Sequence, residues 1–265
     1  MPKELVQKQF GAHAAAYATS RVHAKGASLQ RVVELVKPQK AWRALDIATG
    51  AGHTAAAFAP HVSHVIASDI TQEMLAEAAK LARDKGLANM ETAEADAEAL
   101  PFADAAFDLV TSRIAPHHFP HPATFVAEVV RVLAPGGTFA LIDNIAPDTQ
   151  STPGFSEADL KEAAATYNAF EKLRDPSHAR CLGMGEWADL MSAHGLTVTH
   201  MERIPKDMEF DPWARRLGCD EPTIARLHDM LTKGSPALTA FLKPREQEGQ
   251  LWFTLDEAIL IGRKP

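Results

Sequence analysis

Cysteine is scarce. The chain has two in 265 residues, Cys181 and Cys219. They lie far apart and lack zinc-site spacing, which excludes a disulfide framework and a structural zinc set and leaves two reduced thiols. Long apolar runs are also missing, since none approaches the roughly 18 residues that a membrane-spanning helix needs. The N-terminal stretch "MPKELVQKQFGAHAAAYATS" is charged, and His13 breaks its short alanine patch. It reads as an amphipathic helix that stays on the protein rather than a signal peptide, so the expected location is the cytoplasm. Positive charge is in deficit: 27 Lys and Arg against 34 Asp and Glu give a formal net charge of −7. With no basic stripe carrying interleaved aromatics, nucleic acid is not an expected partner. Internal repeats and low-complexity linkers are absent as well.

What is present is ordinary globular material, 46% hydrophobic and 23% charged, long enough to bury a substantial core. From Trp42 to Asp143 short apolar runs alternate with helix-like segments. "WRALDIA", "VSHVIASDI", "NMETAEAD", "FDLVTSRIA" and "GGTFALID" read as strands. Between them "TQEMLAEAAKLARDKG" is a strong helix, with Thr71 placed to cap it, Glu73 in its first turn and Gly86 at its end. Strands alternating with helices predict an α/β fold, a parallel sheet with crossover helices on both faces. The spacing divides the chain into N-terminal helices over residues 1–38, a ligand-binding core over 39–146, a helical cap and connection over 147–194, and C-terminal strands over 195–265 with inserted helices at about 207–248. Added helices of this kind would cover the carboxyl edge of the sheet, where ligands bind.

The informative stretch is "ALDIATGAGHTAAAF", an apolar run ending in an acid and followed by a glycine turn. Glycine there permits a tight turn and lets a ligand approach the backbone, and the next helix offers unpaired N–H groups. "GAGHTA" also fits the loose dinucleotide pattern, which makes a nicotinamide enzyme the alternative. Three acids argue otherwise. Asp46 ends the first strand. Asp69 ends the second, where a carboxylate can accept from ribose hydroxyls. Asp96 follows the third and can accept from an adenine amine, with the Ala97 N–H donating to a ring nitrogen. An acid before the glycine turn repels pyrophosphate and suits an ammonium group. A ligand with an ammonium, a ribose and an adenine but no phosphate is S-adenosyl-L-methionine.

The runs "ALDIATGAG", "SDIT", "AEADAEALPF", "FDLVTSR" and "EVVRVLAPGGTFALID", in this order, resemble the class I S-adenosylmethionine-dependent methyltransferases over roughly residues 40–145. The resemblance is to the UbiE-type branch, and "RDPSHAR" with "AILIGRK" resembles its YcgJ-like subgroup. It implies a Rossmann-like, mostly parallel seven-stranded sheet with an antiparallel last strand and helical lid insertions. It also implies methyl transfer to an O, C or N atom of a small-molecule acceptor by in-line displacement. The family pattern D-x-G-x-G-x-G has Ala48 at its first glycine here; a methyl is compatible with binding provided residue 48 keeps φ below zero. Asp46 is expected to help bind the ammonium, Gly50 and Gly52 to bring the methionine end onto the backbone, and Asp69 to bind ribose. Ile70 and Met74 either flank the adenine or belong to the core. Arg113 matches a turn that presents backbone oxygen to the cofactor; its side chain would instead bind substrate or pair with a surface acid. The stretch "FGAHAAAYATSRVHAKG" resembles the family's lid helix, with Tyr17 facing the cofactor or anchoring the helix.

"RIAPHHFPHP" sets His117 and His118 just past the fourth strand. Histidine suits removal of a proton at neutral pH, so either is a candidate base or substrate contact, or merely lines the pocket. No metal is expected, because no carboxylate or cysteine nearby in the sequence completes a ligand set. Arg174, His178 and Arg180 fall in the cap, either to bind an anionic substrate or in a salt-bridged loop. A non-catalytic S-adenosylmethionine-binding protein is the third reading.

Overall fold

Successive strand residues point to opposite faces of a sheet, and here both faces are covered. The computed structural model describes residues 2–11 and 26–265. Five parallel strands form its first part: β1 (Arg43–Ile47), β2 (His64–Asp69), β3 (Met90–Glu94), β4 (Phe107–Arg113) and β5 (Leu133–Asn144). β6 (Thr197–Glu209), β7 (Arg245–Gln247) and β8 (Gln250–Arg263) complete the sheet. The strand order is β3-β2-β1-β4-β5-β8-β6, with β7 paired to β8. β8 runs antiparallel to β5 and to β6. The expected seven strands with an antiparallel last strand are therefore present, and the short β7 is an addition.

Leu45, Ile47, Phe139, Leu141 and Leu260 enter one core, while their neighbours Ala44, Ala140, Ile142, Ile259 and Ile261 enter the other. The second core packs α2 (Ala27–Val36), α3 (His53–Phe58) and α4 (Gln72–Asp84) through Val32, Val36, Ala55, Phe58, Ala78 and Ala82. The first takes α5 (Pro122–Val132), α6 (Glu157–Arg174) and α7 (Met184–Ala193), together with α8 (Phe210–Arg215), α9 (Glu221–Thr232) and α10 (Pro236–Leu242). The last three lie between β6 and β7, where the sequence predicts inserted helices. β6 runs on to Glu209, and Glu248 and Gly249, at φ +53 and +74, turn β7 into β8.

Gly86, at φ +65, follows α4 as expected. Thr71 precedes the helix but makes no side-chain cap bond; its N–H is instead taken by Asp69 Oδ1 at 2.9 Å. The chain leaves β1 toward β2 and β3, then returns to the other side of β1 with β4. That reversal opens a crevice at the carboxyl ends of β1 and β4, and the ligand site of such sheets lies there.

Candidate active site

The floor of the crevice is the turn after β1. Ala48, Gly50 and Gly52 all have positive φ, +52, +53 and +85. Beneath it Asp46 is 1% exposed. Its Oδ2 accepts from Thr49 Oγ1 at 2.5 Å and from the Ala55 N–H at 3.2 Å, and its Oδ1 from Thr111 Oγ1 at 2.6 Å. Burial pushes this carboxyl up to about 6, against the lowering by Thr111, Thr49 and the Arg113 charge. At the end of β2, Asp69 accepts from the Gly50 N–H and the Thr71 N–H, each at 2.9 Å, which ties the glycine turn to the next strand.

A cavity open to solvent rises from this floor. Its lining includes Ala48, Thr49 and Gly50 from the turn, Asp69, Ile70 and Met74 from β2 and α4, and Asp96 and Ala97 from the segment after β3. Arg113, Ala115, His118 and Phe119 close the side beyond β4. Helix α1 (Pro2–Gly11) covers the top with Val6 and Phe10, and Gln7 Nε2 donates to the Ile70 carbonyl at 2.9 Å. Phe10 meets the His118 ring edge to face, with centroids 5.0 Å apart.

Beyond the wall His117 Nδ1 lies 2.6 Å from Asp143 Oδ1, and its ring is 4.2 Å from that of His118. Burial opposes charge on His117, yet Asp143, with Glu171 and Asp175 beyond it, raises its proton affinity above the ordinary histidine value. Burial raises the Asp143 carboxyl too, against the lowering by the His117 charge and hydrogen bond. His118 is pushed down to about 3 by burial and by His117. His178 falls to about 2 for the same reasons.

A family model described as a methyltransferase domain matches residues 45–141. The chain is 36% identical over 257 residues to the methyltransferase YcgJ of Bacillus subtilis (strain 168), covering 96% of this chain and 97% of the relative. The chain belongs to the class I S-adenosylmethionine-dependent methyltransferases. A solved methyltransferase structure from Bacillus halodurans C-125 superposes with a TM-score of 0.81 at 33% identity, over 91% of this chain and all of the other. The ubiquinone/menaquinone biosynthesis C-methyltransferase UbiE of Brucella anthropi is 31% identical over 181 residues, 67% of this chain and 63% of the relative.

In this methyltransferase the geometry corrects several sequence expectations. Ala48 does not keep a negative φ; it occupies the left-handed region that glycine would enter freely. Asp46 is absent from the lining, because the two threonine hydroxyls and one N–H beside it take up its carboxylate. Gly52 is not on the lining either. A Cβ there would come within 2.9 Å of Ala78 Cβ and of Met90 Cε, so that glycine serves the approach of α3 to α4. His117 lies behind His118 and off the lining. Arg174, His178 and Arg180 do not reach the cavity. The Arg174 guanidinium sits 4.3 Å over the Trp213 ring and donates to the Trp213 carbonyl. His178 Nε2 bonds Asn168 Oδ1 at 2.9 Å. Arg180 is a surface residue paired with Glu186 at 2.7 Å. Tyr17 falls outside the described residues.

Sequence reasoning overlooked Thr49, Thr111, Asp143, Ser177 and Phe10. Asp143 left a trace as the acid closing "FALID" at the carboxyl end of β5, and Phe10 opens the stretch that resembles the lid helix. Arg113 is buried and donates from Nε to Thr54 Oγ1 at 3.1 Å, and its side chain reaches the cavity wall. Among the described residues no cluster of three or more His, Cys, Asp or Glu side chains can hold a metal ion, and no helix is long and apolar enough to cross a membrane.

Proposed function

We propose that S-adenosylmethionine lies along the Ala48–Gly50 turn with its ribose on Asp69 and its adenine between Ile70, Met74, Asp96 and Ala97. A small protic acceptor then enters beside His118 and is methylated on O, N or an acidic C. The observation that carries this reading is the single cavity that joins the Asp69 and Asp96 wall to His118. The fit to the cofactor rests on the floor: Gly50 has φ +53 and little above it, so the backbone itself can meet a ligand. Asp69 accepts from the Gly50 and Thr71 N–H groups and lines the cavity, where a ribose hydroxyl can reach its carboxylate. When bound, the cofactor supplies a methyl group on a cationic sulfur, activated without help from the protein.

The chain's own work is orientation and exclusion of water. Phe10 and Val6 of α1 cover the cavity, and Phe119 and Pro120 wall the acceptor side. Holding two reactants in line can account for several kcal/mol, up to roughly 7–11 in the best cases. His118, uncharged at neutral pH, can accept a hydrogen bond from the acceptor and orient it.

Calorimetric titration tests the cofactor half. S-adenosylmethionine and its demethylated product are expected to bind, NADH is not, and Asp69→Asn should weaken both roughly ten- to hundredfold, as expected for lost hydrogen bonds to a charged acceptor. Binding of NADH with no binding of the sulfonium would overturn the reading. Incubation with methyl-labelled cofactor and cell extract tests transfer. Tight binding with no labelled product under any condition would favour a non-catalytic binding protein.

A further inference from the structure

The cluster behind the cavity wall has a use that the cofactor site does not account for. His118 Nδ1 lies 3.1 Å from the Ser177 carbonyl and 3.3 Å from Ser177 Oγ. The Ser177 hydroxyl gives its hydrogen to Asp175 Oδ1 at 2.5 Å, so both Ser177 oxygens face His118 as acceptors. Nδ1 must therefore carry the proton, and the lone pair is on Nε2. Nε2 makes no hydrogen bond among the described residues, and His118 lines the cavity.

A fixed tautomer is not enough, since a second proton on Nε2 would end its use as an acceptor. Several groups bear on the two rings: Asp143 from β5, Glu171 and Arg174 from α6, Asp175 and His178 from the loop after it, and the uncharged Phe10 from α1. The carboxylates attract a proton to the pair of histidines. Asp143 Oδ1, 2.6 Å from His117 Nδ1, decides which ring takes it. A charged His117 ring 4.2 Å from His118 then keeps the second ring neutral.

We propose that Asp143 and His117 form a positioning pair that holds His118 uncharged, with Nε2 bare toward the cavity, where it accepts a hydrogen bond from the methyl acceptor and aims the reacting atom. The inference rests on the reading of His118 given above. An electron pair on X forms the new bond to the methyl carbon, while the carbon–sulfur bond breaks and its pair stays on the departing thioether. The proton on X, hydrogen-bonded to His118 Nε2, passes to solvent. His117 and Asp143 touch neither ligand; they act only through His118.

Nuclear magnetic resonance of the imidazole nitrogens in the ¹⁵N-labelled full chain, between pH 5 and 9, tests this without a known acceptor. In the unaltered protein His118 should stay protonated at Nδ1 and bare at Nε2 throughout, while His117 carries both protons at pH 7. In Asp143→Asn, His117 should lose its second proton at pH 7 and His118 should begin to take a second proton inside this pH range, above pH 5. His117→Gln should move His118 in the same way and serves if Asp143→Asn does not fold. Affinity for S-adenosylmethionine should change less than about threefold in either variant, because neither side chain lines the cavity. The pair has no such role if His118 titrates unchanged in both variants, or if His118 carries two protons at pH 7 in the unaltered protein. Failure of the unaltered protein to bind the cofactor would sink the function proposed above, while the nitrogen spectra would still decide the pair.

Discussion

At residue 48 the chain turns with φ +52, and a methyl group sits where the backbone conformation favours hydrogen. Left-handed backbone costs an L-residue roughly 1–2 kcal/mol. Ala48→Gly removes that strain. It also frees the unfolded chain by about 0.4–1 kcal/mol and strips a half-buried methyl worth up to about 0.8 kcal/mol. The terms nearly cancel, so the unfolding free energy from denaturant melts should change by less than about 1 kcal/mol, with the m-value unchanged. Ala48→Val should cost more than about 2 kcal/mol, because a β-branched side chain tolerates this conformation worst. A large loss in Ala48→Gly would mean that methyl packing, and not the turn, governs the position. At this scale the sequence was legible where a residue's role follows from its place in an element. Asp69 closes β2 and Asp96 follows β3 by two residues at the carboxyl edge, so their approach to the cavity could be read from spacing. Asp46 has the same placement, yet Thr49 and Thr111 take its carboxylate, and Thr111 is 65 residues away. The His117–Asp143 and His118–Ser177 contacts span 26 and 59 residues, and no local pattern announces them.

At the scale of elements, the contact between α3 and α4 carries the glycine turn. Ala78 lies on the buried face of α4, four residues from Met74 and from Ala82, and its small side chain lets the Gly52 backbone approach. Gly52→Ala combines left-handed strain of roughly 1–2 kcal/mol with overpacking of typically 1–3 kcal/mol, so a loss of about 2–5 kcal/mol is expected in denaturant melts. Ala78→Gly in the same chain should recover part of the packing loss, and a double-mutant cycle measures how much. Strict additivity would show that the two residues do not meet. Helices and strands of the core were legible because hydrophobic period and glycine punctuation agreed with the fold. β7 was not, since three residues with no apolar pattern become a strand only by pairing with β8, and Glu248 takes up a positive φ that its identity does not advertise. Arg174 and Arg180, for which a salt-bridged loop was the other reading, stand clear of the cavity for a related reason. A charged side chain in a cap segment has many partners within reach, and here Trp213 and Glu186 are nearer than the cavity.

At the scale of the whole molecule, a sheet that buries polar groups between two cores ties its stability to pH. His118 and His178 are held neutral, at about 3 and about 2. The unfolded chain binds a proton on each near pH 6.5, whereas the folded chain does not until far lower. Stability from these two groups is thus complete above pH 6.5 and declines as pH falls from there toward their folded values, by about 1.4 kcal/mol per pH unit each. Asp46, raised to about 6, acts the other way. The folded state holds a proton that the unfolded state has lost between its ordinary value near 3.8 and pH 6, so acidification through that window favours folding. Buried Asp69, Asp143 and Glu171 are raised as well and add to that opposing slope. The total curve therefore mixes signs, and one side chain has to be isolated. His178 suits this because it lies outside the cavity and its Nε2 already has a partner in Asn168. His178→Gln, compared with the unaltered chain, removes one group that resists protonation. Its destabilisation at pH 7.5 should shrink by about 1.4 kcal/mol at pH 5.5, since only the unaltered chain pays for keeping that ring neutral. Urea melts of both chains at the two pH values measure the difference directly. A constant gap would mean that residue 178 takes its proton in the folded state as readily as in the unfolded chain, which neither its burial nor the neighbouring charge on His117 would permit.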